Sequence, residues 1–159
     1  MIFKSIIIIL LCSLPTTFTI AKSKDEQSAN TVAGKFEVTI SETKIKPYEL
    51  KLNGKVIHEG SYEYFKIENS YKDKLSSYII AYGYEPIGAG RCQKIILLFD
   101  IGKYGFDKHY INHHGGIRCW DGSVSSSFKN NILKIKAGEK IFIYTDDRYG
   151  NKTIEKVTK

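Results

Sequence analysis

The sequence predicts an all-β fold, specifically a single-domain antiparallel β-sandwich or barrel of about ten short strands held by one disulfide. Three observations carry this expectation. Apolar residues alternate with polar ones at period two from Phe36 onward, as in strands with one buried face. Turn residues recur at strand-length intervals, with Asn53-Gly54 the sharpest, because both residues tolerate the positive φ that a two-residue hairpin needs. No stretch beyond the first 21 residues has an apolar stripe of helical period and length.

The first 21 residues stand apart. Lys4 gives a positive start, residues 6–14 form an apolar run, Pro15 breaks it, and Thr19-Ile20-Ala21 ends in small-residue cleavage chemistry. This order of features is that of a secretory signal peptide, and the run is about half of what a membrane-spanning helix requires. Leu11 is too bulky for the small residue usual before a lipid-modified cysteine at position 12. Cleavage would leave 138 residues, a length that fits one domain. No other apolar run approaches spanning length, so no membrane span is expected after cleavage. The expected location is the periplasm or the extracellular space.

Residues 22–34 are polar and without apolar period, so they read as a flexible leader. The β domain is expected over 35–159. Phe36, Val38 and Ile40 mark its first strand, Tyr48, Leu50 and Leu52 the second, and Val56 to His58 the return strand of the Asn-Gly hairpin. A strand over 62–67 follows, then a polar turn region at 69–76 with room for one helical turn. In residues 78–82, Tyr78, Ile80 and Tyr82 oppose Ile79 and Ala81, so this strand is apolar on both faces and reads as central and doubly covered. A loop is expected at 85–90. Residues 95–101 are the most apolar run after the signal; its length and branched residues predict a buried strand. Weaker strands over 109–112 and 124–128 precede clearer ones at 132–136, 140–145 and 153–157.

Charge and cysteines narrow the function classes. The formal charge is +7, or +6 once Lys4 leaves with the signal. A positive balance favours acidic partners. Export argues against nucleic acid, and like-signed fields argue against inhibition of strongly basic lysozymes. Cys92 and Cys119 remain after cleavage, and an even count in an oxidising compartment reads as one disulfide.

Motifs for catalysis are weak. Gly88-Ala89-Gly90 precedes a strand rather than a helix, so it reads as a turn and not a phosphate cradle. His109, His113 and His114, with Asp107 and Asp121 nearby, lack any zinc-site spacing and read as a polar loop. Ser123, Ser125, Ser126 and Ser127 lack a nucleophile elbow and alternate along an expected strand. No carboxylate pair is singled out for glycoside cleavage. No cofactor and no metal are expected. Asn151-Lys152-Thr153 is a glycosylation sequon that matters only in a eukaryotic source.

The surroundings of the cysteines are more informative. Arg91 precedes Cys92, and Arg118 precedes Cys119 and Trp120, the single tryptophan. A Cys92–Cys119 bond would gather both arginines, and arginine and tryptophan are enriched where interfaces concentrate their energy. Arg91, Arg118, Trp120, His113 and His114 are therefore expected to form a patch that docks a protein partner with an acidic surface. Six of the eleven tyrosines fall between Tyr62 and Tyr84. Half-buried strands use this residue freely, and an exposed row would suit protein or sugar binding.

Leu50-Lys51-Leu52-Asn53-Gly54-Lys55, Gly88-Ala89-Gly90-Arg91-Cys92 before an apolar strand, and the second cysteine together make residues 48–145 resemble small periplasmic β-rich proteins of Gram-negative bacteria. Some exported proteins of that general kind are immunity proteins that bind toxins delivered into the envelope. The resemblance implies an exported binding protein of immunity or inhibitor type and supplies no functional residues. Two other classes compete. A small envelope hydrolase would use the loop 109–114 and needs a histidine, a carboxylate and a nucleophile converging in a cleft. A structural or adhesive surface component would show a long unpaired edge strand.

Overall fold

The computed structural model describes residues 27–41, 47–89, 91–116, 123–146 and 152–158. Twelve strands and no helix are found among them. β1 (Gln27–Thr31), β2 (Gly34–Ile40), β3 (Tyr48–Leu52) and β4 (Lys55–Gly60) form a first antiparallel sheet in chain order. β5 (Tyr64–Lys72), β6 (Ser76–Gly88), β7 (Arg91–Gly102) and β8 (Gly105–Gly116) form a second. β9 (Val124–Lys129), β10 (Ile132–Ala137), β11 (Lys140–Asp146) and β12 (Lys152–Thr158) form a third. None closes into a barrel, so that half of the expectation is set aside.

The sandwich has three layers rather than two. On one face of the second sheet, Ile79, Ala81, Leu97, Phe99 and Ile101 pack with Phe36, Val38 and Leu50 of the first sheet. On the other face, Tyr78, Ile80, Ile96 and Leu98 pack with Leu133, Ile135, Phe142 and Tyr144 of the third. The second sheet is therefore central, and the continuous apolarity of residues 78–82 and 95–101 has this cause: each strand buries both parities. Ile79, Ile80, Ile96, Leu97, Leu98, Phe99 and Ile101 are all 0 % exposed. Each such side chain stabilises the fold by roughly 1.5–3 kcal/mol of burial before entropy is set against it.

The Asn-Gly hairpin is present as expected. Asn53 and Gly54 have φ of 52° and 77° between β3 and β4. Asn53 also reaches sideways, accepting from the Lys35 amide at 3.0 Å and donating to the Ala33 carbonyl at 2.6 Å. One side chain thus joins the β3–β4 turn to the β1–β2 turn.

Four local expectations are corrected. Residues 27–31, read as leader, form β1 in register with β2 from Gln27↔Val38 to Thr31↔Gly34. This strand lacks an apolar period because polar groups hold it: Thr31 Oγ1 donates to the Gly34 carbonyl at 2.7 Å, and the Val32 amide donates to Ser77 Oγ at 2.9 Å. The polar region 69–76 contains no helical turn; β5 continues to Lys72, and Asp73 Oδ1 accepts from the amides of Leu75 and Ser76, both at 2.7 Å. The loop at 85–90 shrinks to a hairpin tip, since β6 runs to Gly88 and pairs there with Arg91. The weak strand expected over 109–112 is present and longer, as part of β8, so that 113–114, read as loop, also pair with β7. In each case backbone pairing overrides a polar composition that carries no period.

Candidate functional site

The residues that the sequence grouped lie only in part among the described ones. Arg91 is exposed at the start of β7. Cys92, next to it, is 2 % exposed. No disulfide pair is found among the described residues, and Arg118, Cys119 and Trp120 lie outside them. His113 and His114 occupy β8 positions opposite Ile95 and Lys94.

Around the position opposite His114, the end of the central sheet carries an aromatic and cationic platform. Cross-strand register aligns Tyr64 with Tyr84 and Tyr84 with Lys94; one row inward, Lys66 aligns with Tyr82. Partners in register share a face. Tyr64 lies 6.2 Å from Tyr82 and 6.3 Å from Tyr84 between ring centroids, and Tyr82 meets Tyr84 edge-on at 6.2 Å. Lys66 Nζ sits 5.0 Å above the Tyr82 ring, and Lys94 Nζ sits 5.9 Å and 5.4 Å from the Tyr82 and Tyr84 rings. A hydrogen bond with the Tyr82 side chain is the main cause holding the Lys66 ammonium above the ordinary lysine value. Each ammonium over a ring is worth about 0.5–1 kcal/mol when exposed and more when desolvated. Lys94 is 8 % exposed, so its charge is fixed in place rather than carried on a swinging stem.

This platform takes up the tyrosine-rich segment that the sequence left divided between strand packing and binding. Sequence reasoning missed Lys66 and Lys94, because their convergence on Tyr82 and Tyr84 exists only through cross-strand register. For Lys66, a tyrosine two residues away was the available signal, and it is too common to select; Lys94 has none.

A second polar group links the central and third sheets. Asp100, 1 % exposed, accepts a hydrogen bond from the Tyr144 hydroxyl and an ion pair from Lys152 at 2.9 Å. Lys152 also binds Asp107 at 2.5 Å. Burial and the bond to Asp100 push the Tyr144 hydroxyl well above the usual phenol range. This arrangement is a clasp between layers, since every group in it faces another protein group.

The hydrolase elements do not converge among the described residues. His109 Nε2 is buried without a hydrogen-bond partner, and its ring lies 5.6 Å from Tyr144. Asp107 is engaged by Lys152. Ser126 turns inward to Tyr71 at 3.0 Å, and Ser125 and Ser127 are exposed on the other face of β9. No group of three or more His, Cys, Asp or Glu side chains able to hold a metal occurs among the described residues. No described helix is long and apolar enough to cross a membrane. Compared with known families, curated proteins and solved structures, the chain matches none.

Proposed function

We propose that this chain is an exported binding protein, of immunity or inhibitor type, that docks a protein partner with an acidic surface in the periplasm or outside the cell. The observation that carries the reading is Lys66, seated on Tyr82 at the end of the central sheet, partly exposed and 3.5 Å from Glu68, with Lys94 buried beside it on Tyr84. Cations held on rigid aromatic faces meet a carboxylate with little ordering cost. Arg91 adds an exposed guanidinium at the same end of β7. The +7 formal charge supports encounter with an acidic surface, and the apolar first segment supports export.

The proposed Cys92–Cys119 bond fits this end of the fold. Cys92 is in register with Gly116, so Cys119 is three residues from a neighbour of Cys92, a reach of at most about 11 Å. The bond would bring Arg118, Trp120 and the His114 position to the platform. Resemblance to small periplasmic β proteins supports the same compartment.

The test is capture from the secreting cell and its neighbours with the oxidised protein lacking residues 1–21. The reading expects a partner with an acidic surface whose affinity falls about tenfold or more in the Lys66→Glu, Arg91→Glu variant, with folding unchanged. A partner whose affinity ignores that variant overturns the site.

A further inference from the structure

We infer that the outer edge of β8 accepts one added strand, an extended acidic segment of a partner protein. This surface lies at the opposite end of the central sheet from the platform and on its other face, so the inference stands apart from the proposed function.

β8 spans twelve residues, and among the described residues it pairs only with β7. Its remaining N–H and C=O groups along one side therefore form a template for another strand. Natural edges are usually blunted, and β8 has a register shift opposite Ile96 and Leu97; between Gly105 and Tyr110 its ladder is regular and the strand displays large aromatic rings. Phe106 is 39 % and Tyr110 60 % exposed, and Tyr104 in the preceding turn is 92 % exposed. Phe106, Lys108 and Tyr110 oppose Ile101, Phe99 and Leu97, so they line the first-sheet side of the edge. The first sheet reaches this margin through His58 of β4, whose ring centroid lies 6.4 Å from that of Tyr110, and leaves Phe106 and Tyr110 exposed.

The charges on the margin are positive and held. Lys108 Nζ lies 3.2 Å from His58 Nδ1 and 5.4 Å from the Tyr110 ring centroid. An ammonium only donates, so Nδ1 accepts, and the Nε2–H donates to the Tyr62 hydroxyl at 2.7 Å. Lys108 is thereby anchored rather than swinging. Lys103 lies 5.4 Å from the Tyr104 ring centroid. Asp107, the carboxylate nearest the edge, is already paired with Lys152. A strand laid here meets cations and aromatic rings at alternate positions, the pattern by which edge addition gains specificity beyond its backbone bonds.

The same charges choose the occupant. A second copy paired antiparallel so that Phe106 opposes Tyr110 would set Lys108 against Lys108, and like charges directly opposite destabilise a pair. Glutamates at alternate positions of a foreign strand meet Lys108 without that conflict.

The experiment uses the oxidised protein without residues 1–21 and a blocked peptide of alternating glutamate and valine. Binding is read by backbone amide shifts and by titration. The expected result is shifts centred on residues 105–111, with affinity falling as salt is raised. Two N-methylated peptides, modified on alternate residues in opposite phase, separate edge pairing from plain charge attraction. One phase is expected to lose about tenfold or more in affinity and the other to bind almost as the parent does. Tyr110→Ala and Lys108→Gln are each expected to weaken binding several-fold, while Lys66→Glu leaves it unchanged. Equal binding by both N-methylated peptides, equal binding by a lysine–valine peptide, or self-association through β8 in sedimentation overturns the inference.

Discussion

Replacing Lys152 by methionine probes the clasp between the central and third sheets. The substitution keeps most of the aliphatic stem and removes an ammonium lying 2.9 Å from Asp100 and 2.5 Å from Asp107. Asp100 is 1 % exposed and keeps only the Tyr144 hydroxyl of the two partners described here. Stripping a buried carboxylate of its cation typically costs about 3–5 kcal/mol. The retained hydrogen bond and the 28 % exposure of the lysine side chain lower the expected loss to about 2–3 kcal/mol. Asp107, with a side chain 57 % exposed, accounts for no more than about 0.2–1 kcal/mol of it. Urea unfolding followed by far-ultraviolet circular dichroism gives the value by linear extrapolation. In an Asp100→Asn background the same lysine change should cost under about 1 kcal/mol, because a neutral amide does not need the cation. If Lys152→Met costs no more than Asp107→Asn, the buried carboxylate does not depend on the lysine, and the clasp as described is refuted.

Three further outcomes are expected. Gly83→Ala places a Cβ 2.5 Å from the Phe65 ring and 2.7 Å from the Tyr64 carbonyl oxygen, so it should destabilise by about 1–3 kcal/mol or more in the same urea assay. The hydrogen bond from Lys152 holds the Asp107 carboxyl below its ordinary value of 3.8; its contribution is present above that pH and is lost as pH falls through the lowered value. Acid unfolding of Asp107→Asn should therefore lack that small component. Burial first, and Asp100 second, push Tyr78 from 10.0 up to about 12; the stability this represents is complete below pH 10 and lost as pH rises toward 12. The tyrosinate absorbance missing from Tyr78→Phe should accordingly appear only near the upper value.

Much of the fold is legible in the chain because its strongest signals are local. Asn53-Gly54 fixes a hairpin from two residues alone, and the apolar residues at 78–82 and 95–101 announce strands covered on both faces. That double coverage implies a layer on each side, yet the layer count needs to know which strands share a sheet. β1 was illegible for a different reason: Ala29 is its one apolar residue packed on the core, and its partners are the backbone of β2 and side chains from distant residues. Residues 109–112 gave only a weak strand signal, and 113–114 read as loop, because their polarity hides the pairing with β7. The platform depends on register, since Lys66 meets Tyr82 and Lys94 meets Tyr84 only when three strands align. Chemistry assembled across strands leaves no fixed spacing along one segment.

Each sheet is built from four consecutive strands, so nearest neighbours in the chain are nearest neighbours in the hydrogen-bonded ladder. Hairpins of this kind close short loops at little entropic cost, but the middle block cannot persist alone. Released from either flank, it would present a wall of isoleucine, leucine and phenylalanine to water, ready to stick to any exposed strand nearby. Local zippering is therefore cheap while survival demands all three blocks at once, which ties the fate of the whole polypeptide to its two outermost meanders.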